Sequence, residues 1–72
     1  MNDLNKQKLE KWTKKLEEAE KARKDAFIRK GEAASMGDLS ENSAYKMAIE
    51  EIEMGNAIIN EINKILDNLK KS

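Results

Sequence analysis

Two heptad runs of apolar residues constrain the fold of this chain more than any other feature of its sequence. In the second half, apolar or small residues recur at alternating steps of three and four from Tyr45 to Leu69. A shorter run of the same kind extends from Leu9 to Ala26 and contains one polar residue, Arg23. This spacing is typical of coiled-coil helices, in which an apolar seam faces a partner helix. The sequence therefore predicts two long helices.

The two runs register with each other when the helices are antiparallel. A single turn at Gly37 brings Ala19 opposite Gly55 and Arg23 opposite Ile52. Small side chains then face each other at the first of these pairs, which allows the helices to approach closely. The aliphatic part of the arginine can lie along the seam while its charged head stays in water. The two seams are therefore expected to pack against each other within one chain.

These patterns predict an all-α fold, an antiparallel two-helix coiled-coil hairpin. Helix one is expected at about 3–34, an acidic tip at 35–41 and helix two at about 40–70, with 1–72 forming a single hairpin domain. The chain has no proline and 39% charged residues, a composition that suits long helices. Thirty residues of helix measure about 45 Å at 1.5 Å per residue, so the molecule should be a thin rod.

Composition also excludes several kinds of chemistry. The chain contains no cysteine and no histidine, so it has no disulfides, no thiol nucleophile and none of the usual zinc ligand sets. No apolar run, such as Ala57-Ile58-Ile59, is longer than three residues, which is too short to span a membrane. Absent cysteine fits a reducing cytoplasm, where we expect the protein to be located.

Charge is divided unevenly between the two halves. Residues 1–36 hold ten Lys or Arg against seven Asp or Glu, whereas residues 37–72 hold four against seven. Helix one is therefore basic and helix two acidic. Mutual attraction of the two helices is one interpretation, and a basic face for an RNA end is the other.

The segment Gly37-Asp38-Leu39-Ser40-Glu41-Asn42-Ser43-Ala44-Tyr45 resembles the tip signature of the bacterial Gre transcript-cleavage factors, commonly written G-D-L-(S/K)-E-N-(A/S)-E-Y. Residues 37–43 all fit this signature, and Tyr45 fits again. Ala44 departs from it, because the family usually has an acidic residue there. The resemblance extends over about 23–69, while 1–22 agree only in their heptad pattern.

The resemblance implies a specific function. Gre factors insert a coiled-coil hairpin into the secondary channel of bacterial RNA polymerase. Their two tip carboxylates help to hold a second Mg²⁺ in the polymerase active site, where backtracked RNA is cleaved and its 3′ end regenerated. Asp38 and Glu41 match these catalytic, metal-binding positions, with Mg²⁺ held only in the complex with polymerase. The residues expected to support the tip are Gly37, Leu39, Ser40, Asn42 and Tyr45. The protein would then be an accessory factor and not an enzyme.

Spacing alone leaves a purely structural interpretation open. Asp38 as the N-cap of helix two, with Glu41 at the third helical position, forms an ordinary capping box. Side chains three apart on a helix are also neighbours, so the same spacing would let both carboxylates converge on one ion. The structural alternative is a plain dimerising coiled coil with a capping turn.

Gre factors also carry a C-terminal FKBP-like domain, which this sequence does not include. We therefore expect either a fragment or a stand-alone hairpin. A stand-alone hairpin could also occupy the channel as an inhibitor or competitor, without stimulating cleavage.

An apolar stripe lies beside the seam of helix two. It contains Met54, Ile58 and Ile65, and it is wider than one partner helix would cover. We regard it as a candidate surface for homo-oligomerisation. The alternatives are extra core against Leu4 and Trp12, or the surface left by a missing domain.

Overall fold

The structure, a computed structural model, describes residues 2–71 as two helices joined by a short turn. Helix α1 comprises Asp3–Ala34 and helix α2 comprises Ser43–Lys71. The helices pack side by side and antiparallel, and the Cα atoms occupy a rod of 54 × 14 × 11 Å. No strand occurs in residues 2–71. The predicted all-α hairpin is confirmed.

The core is the single seam between the two helices. Its buried side chains come mostly from α2, because α1 contributes two alanines while α2 contributes isoleucines and a leucine. The buried residues are Ala26, Ala33, Ala48, Ile52, Ile59, Ile62 and Leu66. All lie in the heptad positions of the two seams, with the first seam continued by one heptad to Ala33. Two helices can cover only one stripe on each other, so stability depends on the length of this seam.

The middle of the seam differs in detail from the predicted pairing. A Cβ built on Gly55 would lie 3.2 Å from Cβ of Arg23, which makes Arg23 the nearest neighbour of this glycine rather than Ala19. The guanidinium continues past the glycine and donates a hydrogen bond of 2.8 Å from Nη1 to Oδ1 of Asn56. Gly55 therefore leaves space for the aliphatic part of Arg23, and the side-chain oxygen of Asn56 accepts a hydrogen bond from the guanidinium group. This contact replaces the expected pairing of Arg23 with Ile52.

A second polar contact crosses the hairpin closer to the tip. The guanidinium of Arg29 forms an ion pair with the carboxylate of Glu51, and both side chains remain about half exposed. Exposed pairs of this kind contribute roughly 0–1 kcal/mol to stability. The ion pair therefore lies at the edge of the seam and contributes little to the stability of the hairpin.

The ends of the helices follow ordinary capping rules. At the start of α1, Oδ1 of Asn2 accepts a hydrogen bond of 2.8 Å from the N–H of Asn5. Lys70 and Lys71 lie in the last turn of α2, where cations interact favourably with the helix dipole. Neither helix of residues 2–71 contains a segment long and apolar enough to cross a membrane.

Candidate functional site

The turn between the helices forms the tip of the rod. Helix α1 ends at Ala34, and the N–H of Met36 donates to the carbonyl of Ala33 at 3.1 Å. Gly37 then takes a φ of 124°, in the left-handed region that favours glycine. The predicted break of the first helix at this glycine is confirmed. The chain reverses direction here, and the acidic residues of the tip follow directly.

Asp38 is held in a compact local turn by Ser40. One carboxylate oxygen, Oδ1, accepts hydrogen bonds from the Ser40 hydroxyl at 2.7 Å and from the Ser40 N–H at 3.0 Å. The hydroxyl first and the backbone N–H second lower the pKa of Asp38 from its ordinary value, because both stabilise the charged form. No group in residues 2–71 donates to the other oxygen, Oδ2. The tip thus carries an ionised carboxylate with one oxygen available.

Glu41 is exposed on the same turn and makes no hydrogen bond or ion pair with residues 2–71. Within that range, no group of three or more Asp, Glu, His or Cys side chains is placed to hold a metal ion. Mg²⁺ prefers oxygen ligands in octahedral geometry and often takes only one or two carboxylates from a protein. Asp38 and Glu41 therefore have the right donor chemistry for part of such a site, and the remaining ligands would have to come from a partner.

Asn42 connects the two helices. Its Oδ1 accepts a hydrogen bond of 3.1 Å from the N–H of Tyr45, and its backbone carbonyl accepts the first helical bond of α2 from Lys46. Its Nδ2 donates to the carbonyl of Ala33 at 2.7 Å, across the turn at the end of α1. One half-buried side chain therefore caps the second helix and also joins it to the first.

The cap at Asn42 corrects the predicted capping box. Helix α2 begins at Ser43 and not near residue 40, so Asp38 and Glu41 lie outside the helix. Asp38 accepts from Ser40 rather than from a residue three positions on. The interpretation of Asp38 as N-cap is wrong. The argument that helical spacing brings both carboxylates to one ion fails for the same reason, since these residues are not helical.

The other residues expected to support the tip differ in what they contact. Ser40 binds Asp38, as described above. The half-buried ring of Tyr45 has the ammonium of Lys30 on α1 at 6.0 Å from its centroid, which adds a cation–π contact between the helices. Leu39 is 43% exposed. The contacts with Lys30 and Ala33 were not predicted, because each joins residues far apart in sequence.

Comparison with protein-family models decides the family. Residues 3–70 match the model of the GreA and GreB family, described as the N-terminal domain of a transcription elongation factor. The chain belongs to the Gre family. Comparisons with curated proteins and with solved structures give no match.

The Gre match gives the hairpin a coarse function. It is the N-terminal domain of a transcription elongation factor, from a family of accessory factors that are not themselves catalysts. The match covers nearly the whole of α1 and α2. It includes residues 3–22, where the sequence had shown only a heptad pattern. It also includes the tip, so the acidic turn belongs to the matched domain.

Proposed function

We propose that this Gre-family hairpin enters the secondary channel of bacterial RNA polymerase and assists the polymerase's own cleavage of backtracked RNA. The observation that supports this most directly is the state of Asp38. Its exposed carboxylate is oriented by two hydrogen bonds to one oxygen, while the other oxygen accepts no hydrogen bond from residues 2–71. A carboxylate prepared in this way is suited to act on something outside its own chain.

Asp38 and Glu41 would together supply carboxylate oxygens to a Mg²⁺ ion in the polymerase active site, with polymerase residues providing the other protein ligands. When bound there, such an ion lowers the pKa of a coordinated water and stabilises the charge that develops on phosphate. Ser40 orients the Asp38 side chain through Oδ1, which leaves Oδ2 without a hydrogen bond from residues 2–71. The chain's part is therefore to position charge, which is an accessory role.

The shape of the hairpin supports delivery into a narrow channel. The two helices form a rod 54 Å long, and its other extents are 14 and 11 Å between Cα atoms. The tip carries the reactive groups, and Asn42 ties the turn to both helices. A tip tied in this way can keep its orientation in a channel. The proposal implies a cytoplasmic location, where bacterial polymerase transcribes.

The test uses a stalled, backtracked bacterial elongation complex with labelled RNA. We expect the wild-type hairpin to accelerate the Mg²⁺-dependent release of short 3′ RNA fragments. Asp38→Asn and Glu41→Gln should each reduce this stimulation by about tenfold or more, because a neutral amide is a poor ligand for a hard cation. Asp25→Asn, a matched change on the exposed surface of α1, should leave it unchanged.

Circular dichroism of the same variants separates chemistry from folding. Asp38 and Glu41 do not cap α2, so helix content should stay at the wild-type level in both. Equal activity of the tip variants and the wild type would contradict the proposal. A wild-type hairpin that competes with a complete Gre factor but does not stimulate cleavage would instead identify an inhibitor of the channel. Absence of polymerase binding would refute both functions.

A further inference from the structure

Helix α2 carries a second apolar stripe beside the one it buries against α1. Its members are Met47, Met54, Ile58 and Ile65, and the first three are 59%, 64% and 46% exposed. Their steps are seven, four and seven residues, which is a heptad pattern parallel to the buried seam. Glu51 fills one intervening position of this pattern. Helix α2 therefore has two faces with coiled-coil spacing, and within residues 2–71 only one of them has a helix packed on it.

The stripe is self-complementary in one antiparallel register. With a two-fold axis level with Asn56, Met47 lies opposite Ile65 of a second copy, and Met54 lies opposite Ile58. By symmetry every large apolar residue of the stripe then meets another. A shift by one heptad in either direction would leave one end of the stripe unmatched. Self-complementarity about a two-fold axis is what an isologous dimer requires.

We propose that this face of α2 binds a second copy of the chain, with the two α2 helices antiparallel. The stripe from Met47 to Ile65 spans about 27 Å at 1.5 Å per residue, about half of the 54 Å rod. Asp38 lies outside this span, so both tips remain uncovered at opposite ends of the pair. The pairing does not rest on the function proposed for the tip. Because the axis lies near the middle of α2, the two rods overlap along their whole length, so the pair is wider than a single hairpin and would have to dissociate before one hairpin entered a narrow channel.

The distribution of charge favours the same arrangement. In the pair, the basic α1 of one copy runs parallel to the acidic α2 of the other. The contact of Arg23 with Gly55 sets the register within each hairpin. With the axis level with Asn56, it brings Lys15 close to the level of Glu50 of the second copy, and Glu32 to a level between Lys64 and Lys70 of the second copy. Opposite charges thus lie alongside each other at both ends of the contact, which fixes orientation more than affinity.

One like-charge pairing, which occurs twice by symmetry, opposes the dimer and offers a test of its register. Glu51 lies opposite Glu61 of the second copy. Within each copy, Arg29 pairs with Glu51, and Lys64 lies 3.6 Å from Glu61, so part of this repulsion is already neutralised. Changing Glu61 to lysine would convert the repulsion to attraction only if the register is correct.

Sedimentation velocity over a series of concentrations tests the pairing. We expect the wild type to convert from monomer to dimer as concentration rises through the micromolar range. Ile58→Lys should weaken the dimer by at least about tenfold, because it places a charge inside an apolar contact. Ile28→Lys is the matched control: Ile28 is 52% exposed on α1, outside the stripe, and its replacement should leave the dimer unchanged.

Disulfide trapping tests the direction of the helices, since the chain has no cysteine of its own. Equal amounts of Met47→Cys and Ile65→Cys chains are mixed and mildly oxidised, and the disulfide-linked products are identified by mass spectrometry. The mixed disulfide should dominate over both homodisulfides. Glu61→Lys should in addition lower the dimer dissociation constant several-fold.

Three results would overturn the proposal. The first is a wild type that stays monomeric at high micromolar concentration, and the second is equal disruption by Ile28→Lys and Ile58→Lys. The third is a dimer that yields mainly homodisulfides, or that Glu61→Lys weakens. None of these experiments involves polymerase, so their failure leaves the cleavage assay unaffected.

Discussion

Replacement of Asn42 is the most direct test of how the tip is built. Its amide uses both ends, with Oδ1 accepting from Tyr45 and Nδ2 donating to the carbonyl of Ala33. Asn42→Ala removes both bonds. Asn42→Asp keeps the size of the side chain and its ability to cap α2, but it has no hydrogen to donate when ionised. The two variants therefore separate the cap from the tie between the helices.

The magnitudes follow from the two bonds. Loss of an N-cap asparagine costs about 1 kcal/mol, and loss of a net hydrogen bond costs about 0.5–1.5 kcal/mol. Because the Ala33 carbonyl also accepts from the N–H of Met36, it keeps a partner and adds no penalty for an unsatisfied group. We expect a loss of about 1 kcal/mol for Asn42→Asp and about 2 kcal/mol for Asn42→Ala.

Thermal unfolding followed by circular dichroism measures both values. For a domain of this size, 1 kcal/mol corresponds to about 4–8 °C in Tm. All chains should be compared in an Ile58→Lys background at one protein concentration, because dimerisation would make Tm depend on concentration. If Asn42→Asp were as stable as the parent, the bond to Ala33 would contribute nothing. If Asn42→Ala were no less stable than Asn42→Asp, the cap would contribute nothing.

Two further changes probe the tip charge and the seam. Ser40→Ala should raise the pKa of Asp38 towards its ordinary 3.8, which NMR titration of the carboxyl carbon would detect. Because the folded pKa is lowered, the contribution of the Asp38 carboxylate to stability is complete above pH 3.8 and is lost as pH falls through the lowered pKa. Ser40→Ala should make this acid-induced loss of stability smaller. An unchanged titration of Asp38 would refute the role of the hydroxyl. Gly55→Leu should lower the free energy of unfolding by about 1–3 kcal/mol, since Arg23 already lies 3.2 Å from a Cβ at this position. At Gly31 a Cβ would meet nothing within 4 Å, so the control Gly31→Leu should instead stabilise the helix by up to about 1 kcal/mol. Equal changes in the free energy of urea unfolding for Gly31→Leu and Gly55→Leu would contradict this account of the seam.

Much of the fold could be read from local patterns. Heptad spacing depends only on the residues of one helix, so the two seams, their antiparallel orientation and the turn near Gly37 were predictable, whereas the pairing of individual residues was not. The acidic tip was also recognisable, since its signature is contiguous from Gly37 to Ser43. Lateral contacts across the seam were less accessible. The approach of Arg23 to Gly55 depends on how far the two helices slide and rotate against each other. Heptad spacing does not fix that offset, which can differ by several residues.

The start of α2 shows what only the tertiary structure decides. Asp38 and Asn42 are both good N-cap residues by local criteria, and the spacing to Glu41 favoured Asp38. The decisive group lies elsewhere in the chain, at the carbonyl of Ala33 on α1. An asparagine can cap α2 with its oxygen while its nitrogen donates to that carbonyl, whereas an ionised aspartate can only accept. The helix therefore begins after Asn42, and Asp38 is left outside it with an oxygen uncovered.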